Sequence, residues 1–156
     1  MTGAARELPG GPVGPVLRDR HVIAAFAAGP LCWTLLWAFG LPLADGTPAT
    51  MTLAYGVVVY PLLEEIVFRG ALQGTLLGVP ALARRRLGLS GANVLASIAF
   101  AAAHLWSQPP SWAAAVLVPS LVFGHVYERH RRVGPAFALH AFYNAGFLLL
   151  FVGAHA

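Results

Sequence analysis

Three charged residues crowd into a stretch otherwise apolar enough for a lipid bilayer. Glu64, Glu65 and Arg69 follow Val57-Val58-Val59-Tyr60-Pro61-Leu62-Leu63 and are interleaved with Ile66-Val67-Phe68. A charge at the bilayer centre costs at least about 2.5–3.5 kcal/mol on the mildest scale, so such groups face the inside of a bundle and act there. The rest of the chain agrees with a membrane setting. Hydrophobic residues make up 58% of the 156 residues and charged ones only 10%, where a soluble domain carries about 25%. That length suffices for one bundle and not for two domains. Cys32 is the single cysteine and can form no intrachain disulfide.

Apolar segments at roughly 21–43, 51–78, 91–107, 112–127 and 134–154 compare with the ~20 residues a spanning helix needs. The third and fourth are short. The expected fold is all-α, a polytopic transmembrane helix bundle of about five spans. The net charge of +4 comes from ten arginines and no lysine. Arg6, Arg18 and Arg20 precede the first span, Arg84, Arg85 and Arg86 follow the second, and Arg129, Arg131 and Arg132 follow the fourth. The connections around Asp45 and Ser111 hold none. Basic loops therefore alternate, which by the positive-inside rule places the N-terminus in the cytoplasm and the C-terminus outside. The charge is a topology signal and implies no nucleic-acid partner. Residues 1–20, rich in Gly and Pro, read as a disordered cytoplasmic tail, and residues 21–156 as the bundle. The first apolar segment is too long for a signal-peptide core and reads as a retained span.

Helical geometry separates the two glutamates. At ~100° per residue, Glu65 and Arg69 are i,i+4 neighbours about 40° apart, whereas Glu64 lies about 140° from Arg69. Glu65 and Arg69 can satisfy each other, since either alone would be a buried unpaired charge. Glu64 is left as the candidate reactive group. Pro61 lacks an N–H and should kink the span or free a carbonyl beside the carboxylates. Two further segments carry polar groups: His104 ends Phe100-Ala101-Ala102-Ala103-His104, and His140 and Asn144 share a face at i,i+4. A glutamate with a histidine can hold and deprotonate water, while His and Asn N–H groups can stabilise an oxyanion. Peptide hydrolysis requires that combination.

Tyr60-Pro61-Leu62-Leu63-Glu64-Glu65-Ile66-Val67-Phe68-Arg69-Gly70 resembles the E-E-x-x-x-R motif of the CAAX-protease and bacteriocin-processing (CPBP, or Abi) intramembrane proteases. Phe100 to His104 resembles the F-x-x-x-H motif of that family, and His140 to Asn144 its H-x-x-x-N motif. The run from Phe123-Gly124 to Arg129 is similar to the approach to the last motif, so the resemblance covers about residues 55–150. It implies a helical membrane bundle with an interior cavity and an intramembrane endopeptidase activity on a membrane-anchored protein or peptide. Glu64 would be the general base, His104 would hold the water, and His140 and Asn144 would form the oxyanion hole. Glu65 and Arg69 would support the site. No cofactor is expected. In the alternative, zinc-dependent version, Glu64, His104 and His140 would be the ligands. The chain is short for the family, with one span before the first motif.

Gly70, Gly74 and Gly78 form a G-x-x-x-G-x-x-x-G ridge that serves either as a homodimer face or as close packing against Ala96, Ala99 and Ala103. Trp33, Trp37, Trp106 and Trp112 read as interfacial anchors or packing. His125, near Arg129, reads as interfacial, and His21, His130 and His155 as span-end or loop residues. The opposing functional class is a non-catalytic immunity or scaffold protein. A proton-coupled carrier would need more spans and a repeat. Abundant Ala, Gly, Pro and Arg beside no lysine suggest a bacterial cytoplasmic membrane.

Overall fold

The computed structural model describes residues 14–153. Most of the expected tail at 1–20, together with His155, lies outside the described residues. The chain runs through α1 (Gly14–Leu17), α2 (Arg20–Ala38), α3 (Thr50–Leu76) and α4 (Pro80–Ala83). A two-stranded antiparallel hairpin follows, β1 (Arg85–Arg86) and β2 (Leu89–Ser90), and then α5 (Gly91–His104), α6 (Pro110–His130) and α7 (Val133–Val152). The protein is an all-α polytopic bundle. The end of the expected tail is ordered: Val16 is buried, and the Asp19 carboxylate accepts from the His21 N–H at 2.9 Å to cap α2. The expected linker at 80–90 is α4 plus the hairpin. Its two-residue loop, Leu87 and Gly88, has positive φ at both positions, as the tightest right-twisting hairpin requires.

Among the described residues four helices, α2, α3, α6 and α7, are long and apolar enough to cross a membrane. The expected fourth span is thus longer than its hydropathy suggested, because Pro110 starts it early and the αL residue Arg131 (φ 52°) ends it late. The third remains short. Helix α5 has 14 residues, about 21 Å at 1.5 Å per residue against a hydrocarbon core of ~30 Å. It is held by protein on two sides, α6 and the second half of α3. Small residues make this possible. Ala92 and Ala96 are fully buried, and a Cβ on Gly124 of α6 would lie 1.9 Å from Asn93 Oδ1. Close backbone approach of this kind drives helix association where lipid offers no hydrophobic gain. Buried Asn93 donates to Leu121 O at 2.9 Å and accepts from Ser97 Oγ at 3.1 Å.

The described arginines of the three basic clusters gather at one end of the bundle. Arg129 donates to Asp19 at 2.8 Å, and Arg85 donates to Glu128 at 3.1 Å. The Arg129 guanidinium and the His21 N–H hold the Asp19 carboxyl down at about 2, so this clamp stays charged throughout the physiological range. Glu128 also accepts from Gln73 at 3.0 Å and from Ser90, tying α3, the hairpin and α6 together. At the opposite end the Ala44 N–H donates to Leu150 O at 2.7 Å, joining the arginine-free loop to the end of α7. Reporters fused after Arg86 or Arg132 are therefore expected to read cytoplasmic, and reporters near Asp45 or at the C-terminus external. An external signal after Arg86 would break this topology.

The glycine ridge is occupied from within. A Cβ on Gly74 would meet Tyr127 Oη at 2.9 Å, and one on Gly70 would meet Val133 Cγ2 at 3.3 Å. The partners are α6 and the start of α7, not the alanines of α5, and Gly78 meets its own turn at Thr75 O. Two of the three glycines are thus unavailable as a homodimer face.

Candidate active site

Helix α3 carries the carboxylates in a six-residue α-helical segment, Tyr60–Glu65, set between two π-helical stretches, Ala54–Val59 and Ile66–Gln73. Wide turns of this kind cluster at functional sites. The second stretch holds Arg69 against Glu65. Both side chains are 0% exposed, with Arg69 Nε donating to Glu65 Oε2 at 3.1 Å. The guanidinium is fixed further by Nη2 donating to Ser120 Oγ at 2.7 Å and by the Phe100 ring, 5.3 Å from its centre. A buried ion pair needs such additional partners to offset its desolvation.

Glu65 does more than neutralise Arg69. Its second oxygen, Oε1, lies 3.0 Å from His140 Nδ1. A carboxylate can only accept, so Nδ1 carries the proton and His140 Nε2 is turned to the other side. There it stands 3.6 Å from Glu64 Oε2, beyond a good hydrogen bond. The Glu64 side chain is 31% exposed. The imidazole is sandwiched by Phe123, stacked at 4.7 Å and 21°, with the Phe100 ring edge-on at 5.8 Å.

His104 closes α5. Its Nδ1 is 2.9 Å from Phe100 O, a carbonyl that only accepts, so Nδ1–H is the donor and Nε2 keeps its lone pair. Phe100 touches His104 at 4.6 Å, His140 and Arg69. It is therefore the common wall of the cluster. Asn144, one turn beyond His140, donates Nδ2–H to Gly56 O at 2.9 Å, leaving its second amide N–H unused by that bond. The Tyr60 N–H reaches back five residues to Tyr55 O, so the next donor in register would serve Gly56, and Pro61 has none.

The expected division of the glutamates is what the geometry has: Glu65 pairs with Arg69, and Glu64 stands apart beside His140. Glu64, Glu65, Arg69 and His140 form one connected cluster, with His104 joined to it through Phe100 and Asn144 through α3. Ser120 escaped the sequence reading, although a lone serine in Leu117-Val118-Pro119-Ser120-Leu121 was a usable signal. Other aromatic and imidazole side chains stand elsewhere. Tyr143 points away and donates to Ala25 O at 2.6 Å. His125 pairs with His21, ring nitrogens 3.2 Å apart, near the basic end. Trp33 lies on Gly146, Trp112 on Phe147, and Trp106 is exposed. Among the described residues, no three His, Cys, Asp or Glu side chains are gathered as a metal site would require.

The family model for Type II CAAX prenyl endopeptidase Rce1-like proteins matches residues 46–146, which include all three motifs. No curated protein and no solved structure matches the chain. The match spans most of the sequence and all of the clustered residues, and the chain belongs to the Rce1-like type II CAAX prenyl endopeptidase family, an integral-membrane protease family.

Proposed function

We propose that this protein is an intramembrane glutamic endopeptidase that cuts a peptide bond near a prenylated C-terminus, in a bacterial cytoplasmic membrane. The observation that carries the reading is the different fate of two adjacent carboxylates. Glu65 is sealed, neutralised and bonded on both oxygens, whereas Glu64 is partly open and has no hydrogen bond as close as those of Glu65. A protein needing only an ion pair has no use for Glu64.

In the proposed reaction Glu64 takes a proton from water, and the water oxygen bonds to the scissile carbonyl carbon. The unprotonated Nε2 of His104 accepts the second water hydrogen and holds the molecule in line. His140, with a hydrogen on Nε2 as well as on the Nδ1 that bonds Glu65, and the free amide N–H of Asn144 donate to the carbonyl oxygen as it gains charge. The C–N bond then breaks, and protonated Glu64 returns its proton to the leaving amine. Glu65 keeps His140 oriented, and Arg69 holds Glu65 in place.

The test uses the full chain purified into lipid nanodiscs and a farnesylated C-terminal peptide. Cleavage is expected to survive dialysis against a chelator. Asn144→Ala is expected to slow it by about 10²–10³ with KM little changed, the loss of one oxyanion donor. Activity removed by chelator and restored only by zinc would overturn the glutamic mechanism. No cleavage of the prenylated peptide, beside cleavage of an unprenylated leader or sorting tail, would overturn the substrate assignment.

A further inference from the structure

We infer that Pro61 is a positioning residue for the oxyanion hole, acting by what its backbone lacks. This deepens the reading above and rests on Asn144 being an oxyanion donor. In the wide turn before Pro61, the Tyr60 N–H bonds to Tyr55 O, five residues back. Continuing that register would pair position 61 with Gly56 O, but proline has no N–H. A carbonyl in the bundle must find a donor, and Gly56 O takes the Asn144 amide at 2.9 Å.

Glycine at 56 permits the approach. A Cβ there would stand 2.8 Å from Leu148 Cδ1 of α7, so a larger residue would have to displace the end of that side chain, one turn from Asn144. The contact also settles the orientation of the amide. A carbonyl accepts only, so Nδ2 must face Gly56, and the remaining Nδ2 hydrogen is held in one direction. His140, one turn earlier on α7, is fixed by Glu65 from the same helix α3. Thus α3 orients both donors: Glu65 through a side chain and Gly56 through a backbone carbonyl that Pro61 leaves open. Pro61 itself is fully buried and acts only through its backbone.

Pro61→Ala supplies the missing N–H, closes the backbone bond to Gly56, and releases Asn144. The variant should be at least as heat-stable as the wild type, since proline inside a helix is unfavourable. Yet kcat should fall by about tenfold or more, towards the 10²–10³ expected for losing the donor outright, with KM nearly unchanged. In an Asn144→Ala background the same change should have no further effect on rate. The decisive control replaces Pro61 by lactic acid, the ester counterpart of alanine. It removes the ring but still has no N–H, and it should keep wild-type kcat.

A Pro61→Ala enzyme with wild-type kcat, beside a crippled Asn144→Ala, would overturn the inference while leaving the proposed function standing. An Asn144→Ala enzyme at the wild-type rate would overturn the oxyanion assignment first. Equal loss of activity in the alanine and lactic acid variants would show that the ring matters and not the absent donor, which also overturns the inference. Should Pro61→Ala fail to fold, the lactic acid variant still decides: reduced kcat in a folded protein contradicts it, and full kcat supports it.

Discussion

Glu64→Gln is expected to leave the protein folded and to reduce peptide cleavage by about 10²–10⁴-fold, the usual worth of a positioned general base. The amide has the shape of the carboxylate and cannot take a proton from water. Folding should survive because Glu64 contributes little to packing. Its side chain is 31% exposed, and its nearest polar partner, His140 Nε2, is 3.6 Å away. Removing a charge from a partly exposed position that holds no close hydrogen bond breaks no bond that the fold depends on. The measurement is single-turnover cleavage beside a thermal melt in the same nanodiscs. A variant that melts like the wild type and still cleaves at its rate would remove Glu64 from the mechanism. A variant that fails to fold would mean that Glu64 holds the bundle together, contrary to its exposure. Since KM reports binding that Glu64 does not supply, the loss should fall on kcat.

The chain displayed its bundle openly because lipid imposes so narrow a choice. Long apolar runs bounded by arginines fix where helices begin and which ends lie together, and the contacts Arg129–Asp19 and Arg85–Glu128 realise that grouping. Helix α5 was harder to read, because its length is set by a capping serine and a histidine at its end, not by hydropathy. The glycine ridge misled for a related reason. Spacing shows that a helix has a small face, but Gly74 meets Tyr127 and not alanine, and a single helix cannot announce its neighbour.

At the site, the i,i+4 rule was enough to pair Glu65 with Arg69, since both lie on one helix. The bond from Glu65 to His140 was not legible, because it joins residues 75 positions apart and depends on which face α7 presents. Ser120 was hidden in the same way. Pro61 fell between these cases. A freed carbonyl was expected from the ring alone, whereas its partner, Asn144, came from packing against Gly56.

Glu65→Gln should behave oppositely to its neighbour, with stability lost along with activity. Glu65 and Arg69 are 0% exposed, so the neutral amide would leave a guanidinium buried without its counter-charge. Breaking a buried pair from one side costs about 3–5 kcal/mol, a large part of the ~5–15 kcal/mol that holds a typical protein folded. Ser120 and Phe100 cannot replace the carboxylate: one is a neutral acceptor and the other a quadrupole. A second consequence lies on the far side of the residue. Gln has one oxygen where Glu65 uses two, so it cannot accept from both Arg69 and His140 as the carboxylate does. The imidazole would then lose its fixed orientation toward Glu64. A double variant separates the effects. Glu65→Gln with Arg69→Met removes both charges, and burying a neutral pair should recover most of the lost stability. Activity should stay low, because His140 remains without the carboxylate that turns it. Reversible unfolding of the three proteins in mixed micelles, read beside their cleavage rates, measures both halves. If Glu65→Gln were as stable as the wild type, the ion pair would not be the fixed point of the site. If the double variant regained its activity with its stability, Glu65 would be holding Arg69 alone, and its bond to His140 would be without consequence.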